Sequence, residues 1–271
     1  MLLRNARRLK LDRPVFVVGC GRSGTTALGA LLGHHRGLAY LNEPRHIWAS
    51  EPRTDVWSDQ ARMRGGRLEL TAGDLAPAAG ESIRRLFAAE VRRQGAARLV
   101  EKLPINGFRI GYLDALCPDS LFVHLVRDGH AVARSIAARA ADGPWFGHDG
   151  YKWTLLTDMA RDRGLAARVD ACTDDYGRGL LEWRLAVASA RAALAGLPAR
   201  RGLEVRYEQL VADPSSTLDR LLAFIDVEPD PSLRARAACE ITATPSRAPS
   251  AEERRAGRAI AGDLLEELGY G

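Results

Sequence analysis

One segment narrows the possible folds more than any other: Val15-Phe-Val-Val-Gly-Cys-Gly-Arg-Ser-Gly-Thr-Thr26. An apolar run suited to a buried strand passes into a glycine-rich turn and then a helical stretch over residues 25–34. In such a unit several backbone N–H groups converge on one point at the positive end of a helix dipole, which makes an anion site, usually for phosphate. Gly19, Gly21 and Gly24 permit the backbone conformations and close approach that such a cradle needs.

The pattern repeats along the chain. Residues 37–41, 98–101, 121–126 and 202–206 read as further short strands. Between them lie helical patterns over 82–94 (Ile83, Leu86, Phe87 and Val91 on one face), 106–117, 128–140, 180–194 and 214–224, and a last helix ends near Leu268. Strands separated by helices imply right-handed crossovers and a parallel sheet. The expected fold is therefore α/β: a P-loop-type three-layer sandwich with a central parallel β-sheet flanked by helices. Residues 44–80 and 142–175 have no clean period and read as irregular insertions in a single domain spanning residues 1–271.

Composition removes several classes. The net charge is +5, but acids are mixed in throughout, whereas a nucleic-acid binder gathers its basic residues on one face or tail. Of the 39 basic residues only Lys10, Lys102 and Lys152 are lysines. Cys20, Cys117, Cys172 and Cys239 lie far apart and offer no metal-ligand spacing, so no metal is expected. The basic start followed by Val15–Gly19 is too short in its apolar part for a signal peptide, and no run reaches the roughly 20 apolar residues of a membrane helix. A cytoplasmic protein is the expectation.

A nucleoside-triphosphate loop would carry Lys after its last glycine. Here Thr25 follows Gly24, and a cation, Arg22, stands two residues before that glycine. The loop suits a phosphate-like group other than MgATP. At this point the chain resembles the sulfotransferases that use 3′-phosphoadenosine 5′-phosphosulfate (PAPS) and release 3′-phosphoadenosine 5′-phosphate (PAP). Gly21-Arg-Ser-Gly-Thr-Thr26 resembles their 5′-phosphosulfate loop. Leu121-Phe-Val-His-Leu-Val-Arg-Asp-Gly-His-Ala-Val-Ala-Arg-Ser135 resembles their 3′-phosphate motif, with Ser eight residues after Arg127. Val205-Arg-Tyr-Glu-Gln-Leu-Val-Ala-Asp-Pro214 and the terminal Leu-Gly-Tyr270 resemble recurring family segments.

The resemblance implies roles. Arg22 would stabilise charge on the leaving 5′-phosphate, which Ser23, Gly24, Thr25 and Thr26 would hold. Lys102, at the end of a strand, would lie near the transferring sulfonate. Many cytosolic relatives carry a histidine base just after this lysine; Lys102-Leu103-Pro104 has none. Glu43, after the second strand, is similar to the catalytic glutamate of bacterial relatives and of the tyrosylprotein sulfotransferases, with His46 as the alternative base. Arg127 and Ser135 would bind the 3′-phosphate, and Tyr207 would contact the nucleotide. Ser246 and Arg247 fall in a loop that closes over PAPS in relatives. Trp48, Trp57, Trp145, Phe146, Tyr151 and Trp153 fall in the insertions and are candidates to line an acceptor pocket. The implied reaction is O-sulfation of a small-molecule alcohol or phenol; the alternatives are a P-loop kinase-like phosphotransferase and a non-catalytic nucleotide-binding protein.

Overall fold

In the computed structural model, which describes residues 11–243 and 247–271, five strands form one parallel sheet. They are β1 (Val15–Gly19), β2 (Leu38–Asn42), β3 (Arg98–Lys102), β4 (Leu121–Val126) and β5 (Gly202–Arg206), in the order β2-β3-β1-β4-β5. Every residue of β1 and β4 is buried. Strands covered by helices on both sides read as unbroken apolar runs, which is why both stand out in the sequence. Val15 and Val17 point into a cluster with Leu28, Leu32, Leu121, Leu218 and Leu221. Phe16 and Val18 point the other way, toward Ile83, Phe87, Leu113 and Phe122. Phe16 stacks on Phe122 across the β1–β4 pair, ring centroids 5.8 Å apart.

The chain leaves β1 to build β2 and β3 on one side, then crosses back to add β4 and β5 on the other. Ligands gather beyond the carboxyl ends of the strands at such a reversal. The expected parallel α/β sandwich is thus what the chain forms.

The helices differ from expectation at identifiable places. The first long one runs Pro77–Arg93, five residues earlier than its periodicity suggests, because Pro77 sits in the first turn where its missing N–H costs nothing. The stretch expected as one helix over 106–117 is two pieces, a 3-10 turn Pro104–Phe108 and a helix Ile110–Leu116. Arg109 separates them with φ −125°, and its buried guanidinium donates to the carbonyls of Thr54, Arg67 and Leu68. That side chain ties Thr54, Arg67 and Leu68 of the irregular segment to the core.

The segment 44–80 is mostly irregular as expected, with a short helix Arg45–Trp48 and turns Pro52–Thr54 and Ala72–Asp74. Residues 142–175 depart further. They contain helices Tyr151–Asp162 and Ala166–Asp170, the first entered through Gly150 at φ 74°. Beyond them run the long helix Asp175–Ala195, which buries Trp183, and the closing helix Ala251–Glu267. Among the described residues no helix is long and apolar enough to cross a membrane.

Candidate active site

The loop after β1 is built as its glycines require. Gly19 has φ 152°, and a Cβ there would lie 2.4 Å from the Leu125 carbonyl oxygen of the neighbouring strand. Gly24 has φ 96°, caps the helix Thr25–Gly33, and would drive a Cβ into the Tyr207 ring at 2.7 Å. Arg22 takes the left-handed conformation without being glycine, at φ 72°, and Glu43 does the same at φ 48°. Such a residue costs of order 1–3 kcal/mol and persists where the surroundings hold it. Ser23 is fully buried, and its Oγ has no hydrogen-bond partner among the described residues.

Parallel strands bring their ends together, and the candidate residues follow. At the end of β3, Lys102 is 1 % exposed, and its Nζ donates to Glu43 Oε1 at 2.8 Å and to Thr26 Oγ1 at 2.9 Å. Glu43 is further held by its own N–H on the Lys102 carbonyl at 2.7 Å and by Arg45, which donates to Oε2 at 3.0 Å. Partial burial pushes the Glu43 carboxyl up; the hydrogen bond and charge of Lys102 and the charge of Arg45 outweigh it and hold the group below its ordinary value. It is ionised at neutral pH. One residue back on β3, Glu101 points to the opposite face and accepts from Trp48 Nε1 at 2.8 Å and from Asn106. Burial pushes its carboxyl up to about 7.

Arg22 Nε donates to Ser135 Oγ at 3.0 Å, and Arg127 Nη1 donates to the Arg22 carbonyl at 3.3 Å. The residues expected at opposite ends of a nucleotide are therefore neighbours. Arg127 is 8 % exposed, with its guanidinium 4.2 Å over the Tyr207 ring and its carbonyl accepting from Trp183 Nε1. Asp128 caps the helix Gly129–Ala141 that carries Ser135, accepting from the N–H groups of His130 and Ala131. Glu208 fixes this corner: it accepts from the Asp128 N–H at 3.0 Å and from the Tyr270 hydroxyl at 2.7 Å.

A cavity of about 420 Å³ opens on the loop. Arg22, Thr25, Thr26, Glu43 and Arg45 line one part; Val56, Trp57, Ile105, Phe108 and Trp145 give it an apolar part. Of the aromatic candidates, Trp57 and Trp145 line it. Trp48 packs instead against Phe87 in the core, Phe146 against Trp153, and the Tyr151 hydroxyl donates to the Gly66 carbonyl. Arg127 and Tyr207 line a neighbouring hollow with Asp128 and Tyr270.

Two candidates fall outside this cluster. His46 is exposed on the helix Arg45–Trp48 and does not line the cavity. Arg247 donates to both oxygens of Glu253 at 2.6 and 2.7 Å and lines a separate hollow with Arg134 and Tyr176. Ser246 lies outside the described residues. Arg134 donates to the Arg247 carbonyl and pairs with Glu253. Sequence reasoning missed Arg45, although it stands two residues after Glu43, and missed the pair Lys152–Glu182, although Lys152 is one of only three lysines.

Fold and site together define a parallel α/β protein in which a glycine-rich loop lies beside a buried lysine paired with a glutamate. The sequence model of the sulfotransferase family matches residues 14–231, and the chain belongs to that family. It is 24 % identical over 219 residues to protein-tyrosine sulfotransferase A of Caenorhabditis elegans, covering 79 % of this chain and 50 % of that protein. It is 28 % identical over 228 residues to the nodulation protein NoeE of Sinorhizobium fredii, with 79 % and 50 % covered. The chain thus spans about half the length of these relatives. Among solved structures, the sulfotransferase domain from the curacin biosynthetic pathway superposes with a TM-score of 0.57 at 18 % identity, covering 97 % of this chain and 99 % of that one. Sulfotransferase STF9 from Mycobacterium avium gives 0.55 at 16 % identity, covering 95 % and 77 %. These two likenesses bear on the fold.

Proposed function

We propose that the protein is a PAPS-dependent O-sulfotransferase acting on a hydroxyl of a small-molecule alcohol or phenol. The observation that carries the reading is the junction at Lys102, one buried ammonium bridging the carboxylate after β2 and the Thr26 hydroxyl in the first turn of the loop helix. An ionised base and a cation held together at an anion loop are what sulfonate transfer to a hydroxyl requires. The site also fits the co-substrate. The fit lies in its donors: the Ser23 hydroxyl, buried with no partner among the described residues, and the exposed Arg22 guanidinium both lie in the glycine-rich loop after β1.

PAPS supplies a sulfonate whose S–O bond to the 5′-phosphate breaks as a new bond forms to the acceptor oxygen. Glu43 takes the acceptor proton. Arg22 and Lys102 stabilise the negative charge that the breaking bond leaves on the phosphate oxygen, and Ser23, Gly24, Thr25 and Thr26 hold that phosphate through N–H and hydroxyl groups. Arg127 and Ser135 hold the 3′-phosphate, with the Tyr207 ring packed beneath the Arg127 guanidinium. The apolar part of the cavity suits the carbon skeleton of a small acceptor, since ligand pockets are mostly apolar with a few placed polar groups. The tyrosine in the nematode relative's name carries a phenol of this kind.

Thermal shift tests the reading. A ligand at about 100 times its Kd stabilises by about 2.7 kcal/mol, or roughly 5–10 °C for a chain of this size. PAP is expected to raise Tm by that amount and MgATP by little. The reverse would assign a kinase-like phosphotransferase. A nucleotide response without sulfonate appearing on any hydroxylated acceptor, followed by mass spectrometry, would leave only a binding protein.

A further inference from the structure

The cavity has a second charged pair that the proposed chemistry does not use. Lys152, on the helix Tyr151–Asp162, donates from Nζ to Glu182 Oε1 at 2.7 Å, and Glu182 stands on the helix Asp175–Ala195. Both residues line the cavity, yet they are only 8 % and 5 % exposed. Trp145 completes the group: its Nε1 donates to Glu182 Oε2 at 2.8 Å, and its ring lies 4.5 Å from the Lys152 ammonium. The same indole abuts the anion loop, for a Cβ on Gly21 would lie 2.7 Å from Trp145 Cη2.

A buried ion pair is a poor way to gain stability, because desolvation offsets most of the attraction and an apolar pair of similar volume does as well. Its value lies in what it can recognise. Glu182 uses one oxygen on Lys152 and the other on Trp145. An ammonium has three donors, and one of those of Lys152 goes to Glu182. The pair is neutral as a whole, so it offers a directed donor without the excess charge that would select an anion.

We infer that Lys152 is a specificity residue that donates to a second, neutral oxygen of the acceptor, a hydroxyl or carbonyl separate from the hydroxyl that is sulfated. Glu182 and Trp145 are positioning residues that aim it. The acceptor class is thus an apolar skeleton with at least two oxygen functions. This rests on the sulfotransferase reading above.

The test uses PAP-loaded protein and matched phenols, with binding measured by ligand-observed NMR titration. One pair is para-ethylphenol and para-hydroxybenzyl alcohol; the other is para-isobutylphenol and para-hydroxyphenylacetamide. Wild type is expected to favour the oxygen-bearing member of each pair by about tenfold, the worth of one hydrogen bond from a charged donor. Lys152→Met is expected to lose the preference while PAP affinity stays within twofold. Lys152→Met/Glu182→Leu, which leaves no unpaired charge, guards against misfolding and is expected to favour the hydrocarbon members. Equal binding within each pair by PAP-loaded wild type, including no binding by either member, overturns the inference and leaves the sulfotransferase reading standing. So does a preference that survives in a folded variant. Failure of wild type to bind PAP overturns both.

Discussion

Replacing Glu43 by Gln separates charge from shape at the proposed base. The amide keeps an oxygen where Lys102 Nζ now donates at 2.8 Å, so the junction with Thr26 retains its geometry. What disappears is the proton acceptor. General-base catalysis contributes about 10²–10⁴ in rate, or roughly 3–5 kcal/mol of barrier, so kcat is expected to fall by that factor. Stability falls less. Removing one partner of a fully buried pair costs about 3–5 kcal/mol. Lys102 is buried, but the Glu43 side chain is 32 % exposed and Gln still accepts a bond, so about 1–2 kcal/mol is expected here.

The assay is steady-state sulfation with PAP release, alongside PAP binding by thermal shift. Affinity for PAP is expected to change by less than threefold. The pH profile gives an independent reading. A base works ionised, and the Glu43 carboxyl lies below the ordinary glutamate value of 4.5. Activity attributable to it therefore rises with pH below 4.5 and is flat above. A variant with kcat within threefold of wild type refutes the assignment. A wild-type limb near pH 6.5, where an unperturbed imidazole titrates, would move the role to a histidine.

Arg127→Ala removes a charged donor and the group stacked on Tyr207, and PAP affinity measured by calorimetry is expected to fall about 10- to 100-fold; normal affinity would place the 3′-phosphate elsewhere. Arg22→Ala is expected to lower kcat more than it weakens PAP binding, read from single-turnover rates beside the binding isotherm; an unchanged kcat would remove Arg22 from the chemistry. Burial pushes the Glu253 carboxyl up, but the bonds from Arg247 and the Ser250 N–H, with the charges of Arg134 and Arg247, hold it down at about 2. A depressed acid stabilises the fold above its unfolded value near 4.5 and loses that contribution as pH falls toward 2. Glu253→Gln is therefore expected to flatten the acid side of a Tm-against-pH curve, and an unaltered slope would contradict the pairing.

Much of the fold is legible because parallel strands in a covered sheet are apolar from end to end. Val15–Gly19 and Leu121–Val126 announce themselves by composition, and the residue after each strand lands at one edge whatever the helices do. Arg22, Glu43, Lys102 and Arg127 lie at or within three residues of those strand ends, and the resemblance of their motifs to those of sulfotransferases is what singles them out. Features that depend on contacts between distant helices are not legible. Lys152 and Glu182 are separated by thirty positions, one in a stretch without a clean period and the other in a helical one, and nothing local pairs them. Arg109 sits amid a helical pattern, and nothing local says that its guanidinium turns inward to three carbonyls. The helix Tyr151–Asp162 is masked by a mixture of aromatic and charged residues whose apolar face packs against the helices Ala166–Asp170 and Asp175–Ala195.

The contact between Trp145 and Gly21 has an optical consequence. The indole has its N–H fixed on a carboxylate, an ammonium near its face, and one edge against the loop proposed to receive the phosphosulfate. Indole emission is sensitive to local electric fields, and a doubly charged phosphate group docking at this loop would change the field across the ring. The other four tryptophans include two in the closed core, Trp48 and Trp183. The protein thus carries a native fluorophore at the place where nucleotide and acceptor are proposed to meet, and the emission lost in Trp145→Phe would isolate its signal for following occupancy without a label.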